Sequence, residues 1–373
     1  MNTIPFKFKG KGKEFFKIWI VNILLTIITL GIYSAWAKVR TYRYIYSNTY
    51  LNNSNFEFNA DPKKILLGRV IVVAFYIIFI LATDIAQLPI VSLGIFIIFL
   101  LLLPWLIRQA ISFKLKNTSY RNIHFKYKGR VIDFYKVGIL FLLAIFLPLF
   151  IFGTSLNIIH QDYLLLILLS LLIVFWIITI PSLYRAFKSI TIDNSYYGKA
   201  KFNFYAKERE VIGLFVKVFL ISLIWFAILS FVALIINIIF INLLNANINF
   251  NILRPIMFII FLSLYLIVIS SYKGLIDGFF SNFIRNHTKL EEYKFSSTIK
   301  AHTLSFISLT NALSIIFTLG LAYPWAKMRY LRYKLENTYF ECDNYDKFIS
   351  DGREESSAIG EETMDFFDID IGF

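Results

Sequence analysis

The chain has 373 residues, 58% of them apolar and only 17% charged, against an apolar share of roughly 45 to 50% in water-soluble domains. That excess excludes an ordinary soluble globule. A formal charge of +14 invites nucleic acid as a partner, but the basic residues are divided among short stretches beside apolar ones, so anionic membrane lipid is expected and nucleic acid is not.

In chain order, a basic start (Lys7, Lys9, Lys11, Lys13) precedes an apolar stretch from Ile18 to Ala37. Its end, Ala35-Trp36-Ala37, looks like a small-x-small cleavage site. The same block recurs near the C-terminus, where a signal peptide has no place, so the stretch is assigned to the mature membrane domain. Crossing roughly 30 Å of hydrocarbon takes about 20 mostly uncharged residues with every backbone group paired internally. Six stretches meet this: Ile65 to Ala82, Leu88 to Ile107, Val137 to Phe152, Tyr163 to Leu183, Val211 to Phe240 and Ile256 to Ser271. They form three pairs. A last apolar stretch, Leu304 to Ala326, stands alone as the first one does.

An internal repeat organises the chain. Thr29 to Leu51 reads TLGIYSAWAKVRTYRYIYSNTYL and Thr318 to Phe340 reads TLGLAYPWAKMRYLRYKLENTYF, without a gap. These strong copies cover 15–58 and 304–347. Weaker copies around 104–127, 181–204 and 274–297 keep a helix end, basic amphipathic sequence, an Asn-Thr-like pair and an aromatic further on. The pairing runs Asn48 to Phe56, Asn117 to Phe125, Asn194 to Phe202, His287 to Phe295 and Asn337 to Tyr345. Pro104, Pro181 and Pro324 share one slot, where proline can end a helix because it lacks a donor. After each Asn-Thr pair, alternation such as Phe56-Glu57-Phe58 or Phe202-Asn203-Phe204 predicts a short β-hairpin at the membrane surface. The turn letters Asn52-Asn53-Ser54, Arg121-Asn122 and Gly198-Lys199 suit it, since Asn and Gly tolerate unusual backbone angles.

Of the 38 Lys and Arg residues, the turns inside the three pairs contain only Arg254. Cytoplasmic loops retain Lys and Arg, so the repeat motifs are placed inside and the three turns outside. If the two lone stretches each spanned once, the basic N-terminus and the last motif copy would both land outside. A re-entrant passage, broken near Thr29-Leu30-Gly31 and Thr318-Leu319-Gly320, is preferred, with two further spans as the alternative. The expected fold is an all-α polytopic membrane protein of six to eight membrane helices in pairs, with repeated short β-hairpins at the cytoplasmic surface. One membrane domain covers 1–348, and an acidic tail follows over 349–373.

The block LTIITLGIYSAWAKVRTYRYIYSNT, its C-terminal echo and the closing DFFDIDIGF resemble the YjgN-like family of bacterial inner-membrane proteins over nearly the whole chain. The resemblance implies a multi-pass protein of the bacterial inner membrane. The family is one of unknown function, so no activity comes with it.

Candidate lipid- or solute-contacting residues are Trp36, Lys38, Arg40 and Arg43 with their counterparts Trp325, Lys327, Arg329 and Arg332: cations for an anionic group, indole for a stacking face. The plainer reading is an interfacial anchor in which Trp sits among headgroups and Lys snorkels. Candidate intramembrane polar residues are Asn22, Thr26, Thr29, Asn311 and Thr318, which mark either a polar pathway or an interhelical hydrogen bond. The pair Asp162 and His160 lies near an outer turn, as Asp84 does, and proton coupling there is not expected. The single Cys342 and the scattered His124, His160, His287 and His302 have no metal-ligand spacing. No nucleophile elbow, phosphate loop or dinucleotide fingerprint occurs, so neither an enzyme nor a cofactor is expected. The leading expectation is a conduit for a small solute or ion between the helix pairs, gated by the terminal segments, and the alternative is an anionic-lipid-binding scaffold that recruits a partner. A conduit needs a continuous polar file, whereas a scaffold needs only a basic aromatic surface. The acidic tail either folds back on that surface or solvates the terminus.

Overall fold

The fold is described from a computed structural model covering residues 2–85, 87–158, 162–245 and 250–352. It is built from one unit used five times, strand–helix–helix–strand. The first unit is β1 (Asn2–Phe8), α1 (Gly12–Ile28), α2 (Ser34–Ser47) and β2 (Thr49–Leu51). The second is β3 (Ser54–Phe58), α3 (Pro62–Ile80) with a π-helical extension over Leu81–Ile85, α4 (Pro89–Lys116) and β4 (Thr118–Tyr120). The third is β5 (Ile123–Tyr127), α5 (Val131–Ile158), α6 (Asp162–Asp193) and β6 (Ser195–Tyr197). The fourth is β7 (Ala200–Phe204), α7 (Glu208–Asn245), α8 (Phe250–Asn286) and β8 (Thr288–Leu290). The fifth is β9 (Tyr293–Ser297), α9 (Ala301–Phe317), α10 (Tyr323–Glu336) and β10 (Thr338–Cys342). A last helix, α11 (Tyr345–Gly352), follows.

Among the described residues the ten strands close into one antiparallel barrel, so the β structure is a single body and the fold is not all-α. Closure satisfies what separate hairpins cannot, because a barrel has no unpaired edge. Within each unit the two strands pair in equivalent register: Phe6 with Leu51, Phe56 with Tyr120, Phe125 with Tyr197, Phe202 with Leu290 and Phe295 with Phe340. Units are joined by two-residue turns, as between Leu51 and Ser54 or Tyr120 and Ile123. The turn residues Asn52, Asn53, Arg121, Asn122, Gly198 and Glu291 take the positive φ such turns demand.

The fifth join differs from the expected hairpin. Beyond β10 the chain does not return as a strand; β1 pairs there instead, Ile4 opposite Phe340. Tyr345, the aromatic that follows Asn337 in the repeat, therefore lies on α11, and Phe6 takes the fifth place in the ring of strand aromatics.

The Asn-Thr pair has a local cause. At each helix end the Asn amide donates to the carbonyl four residues back: Asn48 to Tyr44 at 2.8 Å, Asn117 to Phe113 at 2.7 Å, Asn194 to Ile190 at 2.8 Å and Asn337 to Tyr333 at 2.7 Å. The next hydroxyl repeats the bond one residue on, from Thr49, Thr118, Ser195, Thr288 and Thr338. The hydroxyl thus reaches a carbonyl of the last helical turn, where helical partners run out, while the Asn amide adds a second bond to a carbonyl that at Asn48, Asn117 and Asn337 already accepts the backbone N–H of the same Asn. His287 serves in the Asn slot, its Nδ1 2.8 Å from the Phe283 carbonyl.

The barrel interior is filled. Tyr120, Tyr197, Leu290 and Phe340 are almost completely buried, and Phe348 and Ile349 of α11 are buried with them. The Phe348 ring lies 4.8 Å from Phe340 and 5.3 Å from both Tyr197 and Tyr293.

Helices hang from this barrel as antiparallel pairs, each packed on its neighbours, with α10 returning to α1. Among the described residues six helices are long and apolar enough to cross a membrane, and at most 17% of the apolar stretch of each is buried within the protein. Their remaining apolar surface suits lipid. The two lone apolar stretches are each broken into two helices. Thr29 caps α1, Leu30 takes a φ of 48° and Gly31 one of 93°, and the Gly31 N–H returns to the Thr26 carbonyl at 2.7 Å. Thr318, Leu319 and Gly320 repeat this, with Gly320 bonded to Ile315. This Schellman-type stop reverses the chain, so both ends of each stretch meet the barrel. At about 1.5 Å per residue, the 17 residues of α1 or α9 reach about 25 Å.

Candidate functional site

The candidate residues lie on the two short hairpins α1/α2 and α9/α10, from Trp36 and Trp325 in the first turns of α2 and α10 to Arg43 and Arg332 nearer the barrel. These hairpins are neighbours because β1 and β10 pair, which brings α1 against α10. The Trp325 ring stands 5.2 Å from Phe16, and Trp19 stands 5.9 Å from Tyr323. Trp36 stacks on Tyr33 at 6.1 Å.

The cations divide by direction. Arg40 and Arg43 are exposed, as are Arg329 and Arg332. Arg40 donates to the Tyr33 hydroxyl at 2.9 Å, Arg329 to the Thr310 hydroxyl at 2.8 Å and Arg332 to the Gly10 carbonyl at 2.8 Å. These bonds fix guanidinium groups along the two hairpins, Arg332 nearest the barrel, with donors to spare. Lysines with aromatic faces extend the collar: Lys9 over Tyr50 at 4.1 Å and Lys128 over Tyr196 at 4.6 Å. Lys38 and Lys327 are half-buried and line clefts instead.

A cleft of about 400 Å³ runs between α1, α2 and α10, lined by Trp19, Asn22, Thr41, Lys38 and Lys327 among others. A second, of about 340 Å³, brings Lys38 and Lys114 to one space with residues of α3 and α6. The two share Lys38 and Tyr42. A third, of about 410 Å³, is lined by Asn311, Ser314, Trp325, Arg329 and Arg332.

The intramembrane polar candidates are tied into the hairpins. Asn311 donates to the Ala326 carbonyl at 2.9 Å, and Asn22 to Ala37 at 3.4 Å, fastening the two helices of each hairpin. Thr26 donates to the Asn22 carbonyl at 2.6 Å. Thr29 and Thr318 donate to Leu25 and Ser314 and accept from Tyr33 N–H and Ala322 N–H. Each of these contacts lies within one hairpin, so they assemble no polar file from one side of the helix ring to the other. His160 lies outside the described residues, as does the tail from 353, and the Asp162 side chain is not described.

Two features escaped the sequence reading. Asp277, inside the span of α8, accepts from Lys334 Nζ at 2.7 Å, from Ser281 at 3.1 Å and from the Tyr330 hydroxyl. The structure carries α8 as one apolar span through Asn286, and a carboxylate inside a span is the signal of a partnered site. Gly274 and Gly278 form a small-xxx-small face on which α9 packs, with Ser271 and Ser305 hydroxyls 2.8 Å apart. That spacing was visible as a helix-contact motif.

A family model described as a bacterial protein of unknown function (DUF898) matches residues 3–366. The inner membrane protein YjgN of Salmonella typhimurium is 24% identical over 354 residues, covering 90% of this chain and 88% of that protein. Those of Escherichia coli O157:H7 and Escherichia coli K12 are each 27% identical, covering 91% of this chain and 88% of each relative. No solved structure matches.

Proposed function

Because the chain belongs to the DUF898 family of bacterial proteins of unknown function and is a multi-pass inner-membrane protein, we propose that it is an anionic-lipid-binding scaffold. In this reading the Arg and Lys collar, with its Trp and Tyr faces, engages anionic headgroups of the cytoplasmic leaflet. The barrel beyond the collar offers a rigid platform to a cytoplasmic partner. Orientation follows from charge, since the turns inside the three helix pairs carry only Arg254 and Lys and Arg are retained on the cytoplasmic side.

The observation that favours a scaffold over a conduit is the filled barrel. Tyr120, Tyr197, Phe340 and Phe348 occupy its interior, so the barrel axis offers no wet path at that end of the helix ring. A basic residue near an anionic surface contributes about 1 kcal/mol, so a collar of several cations supports a durable lipid preference.

The test is the lipid composition retained by purified protein in nanodiscs made from equal phosphatidylglycerol and phosphatidylcholine. Wild type is expected to enrich phosphatidylglycerol, and the Arg40→Gln, Arg43→Gln, Arg329→Gln, Arg332→Gln variant to lose much of that enrichment. Equal retention of both lipids by wild type, together with solute flux in liposomes, would overturn the scaffold in favour of a conduit.

A further inference from the structure

We infer that the cleft between α1, α2 and α10 is a headgroup site for one anionic phospholipid, its phosphate held between Lys38 and Lys327. The inference deepens the lipid-binding reading and rests on it, but it concerns different residues from the exposed arginine collar.

Lys38 and Lys327 occupy the same place in the two strong repeats, and the pairing of β1 with β10 makes their hairpins neighbours. Both residues line one cleft of about 400 Å³ whose lining contains no carboxylate, the Lys327 ammonium lying 5.3 Å over the Phe15 ring at its edge. Among the described residues neither lysine forms an ion pair. The surroundings add positive charge: Lys114 lines the adjoining cleft with Lys38, and Arg69 donates to Ser34, another residue of the first cleft. Half-buried like charges without a counterion repel one another in a medium of low dielectric, and an incoming anion relieves that.

A second observation points to a ligand. Asn22 is only 5% exposed, lines the cleft, and its Oδ1 is buried without a hydrogen-bond partner. An orphaned buried acceptor is costly, and a hydroxyl entering from the cleft satisfies it after a small turn of the amide.

The cleft is amphiphilic in the right order for a lipid. From the lysines its wall passes Trp19 and then Ile23 and Ile27 along α1. The helix tip beyond is apolar and open, with Ile27 67%, Ile28 74% and Leu30 94% exposed. Phosphate chemistry at one end and an acyl path at the other distinguish a phospholipid from a free phosphate ester.

The experiment is native mass spectrometry of detergent-purified protein titrated with phosphatidylglycerol, phosphatidylcholine or sn-glycerol phosphate. Wild type should hold one phosphatidylglycerol in preference to phosphatidylcholine. Lys38→Gln/Lys327→Gln should weaken that binding at least about tenfold, since charge-assisted bonds are lost, while Lys38→Arg/Lys327→Arg keeps it. A second reading leaves the lysines untouched: brominated phosphatidylglycerol should quench wild type more than Trp19→Phe at low lipid ratios. If wild type prefers phosphatidylglycerol but only the arginine-collar variant loses it, the cleft site is overturned and the scaffold stands. If wild type shows no preference, both fall. Displacement of the lipid by sn-glycerol phosphate would overturn the lipid assignment in favour of a soluble phosphate ester.

Discussion

Ile4, in the first strand, stands opposite Phe340, in the last, and this pairing turns five consecutive units into a ring. Thr3 and Glu341 are register partners in the same ladder, and Thr3 is exposed. Antiparallel partners lie about 4.5 to 5.5 Å apart between Cα atoms, within disulfide reach. In a Cys342→Ser background, Thr3→Cys/Glu341→Cys should therefore crosslink on mild oxidation, seen as a joined product after cleavage at an engineered site in the turn between α3 and α4 at Gln87. Absence of the joined product in folded protein would mean the ring is open.

Closure also governs sidedness. With β1 paired to both β2 and β10, the start of α1 and the end of α2 emerge on one side. In a Cys342→Ser background, a thiol reagent that cannot cross the membrane, applied from outside, should label Gln87→Cys in the turn between α3 and α4 and leave Lys9→Cys untouched. Leu30→Cys, at the exposed apolar hairpin tip, should resist it while accepting a lipid-soluble reagent. Labelling of Lys9→Cys from outside would show that α1 crosses the bilayer.

Local chemistry is what the sequence displays. Two hydrophobic periods, the Asn-Thr caps and turn letters such as Asn52-Asn53 are all short-range signals, and six spans, repeat and turns are legible from them. The closing pair is different. β1 alternates Ile4, Phe6 and Phe8 against Thr3, Pro5 and Lys7, but it precedes the first motif copy, and nothing local says that it completes the last. The same non-locality hid the cleft. Lys38 and Lys327 each resemble a snorkelling anchor, and only ring closure brings both to one space. Asp277 lies beyond the sixth apolar stretch, in the weak repeat copy around 274–297, and Lys334 and Tyr330, its partners, lie one helical hairpin further on.

Gly274 permits the close approach of α8 and α9. A Cβ there would stand 2.7 Å from the Leu304 carbonyl oxygen, which is backbone and cannot step aside, and 2.2 Å from the Ser308 hydroxyl. Gly274→Ala should cost about 1 to 3 kcal/mol, the usual range for overpacking. Gly213 is the control, with nothing within 4 Å of its built Cβ. In a helix interior Gly213→Ala should stabilise by about 0.5 to 1 kcal/mol. Thermal unfolding in detergent, followed by size-exclusion fluorescence, checks the pair. Equal midpoints for the two variants would sink the close-packing argument.

Asp277 is asked to compensate more than one cation. Lys334 Nζ lies 2.7 Å away, and Arg285, on the same helix, has an Nη1 that is buried with no hydrogen-bond partner. Removing one member of a partly buried pair leaves an uncompensated charge, at a cost of roughly 3 kcal/mol. Asp277→Asn strands both Lys334 and Arg285, whereas Lys334→Gln strands the carboxylate alone and leaves it the guanidinium nearby. The expected order of thermal stability is therefore wild type, then Lys334→Gln, then Asp277→Asn. Adding Lys334→Gln to Asp277→Asn should recover part of the loss, because one stranded cation is gone. A double mutant as unstable as the sum of the singles would mean that the two groups do not act on each other and that the contact between α8 and α10 rests on packing alone.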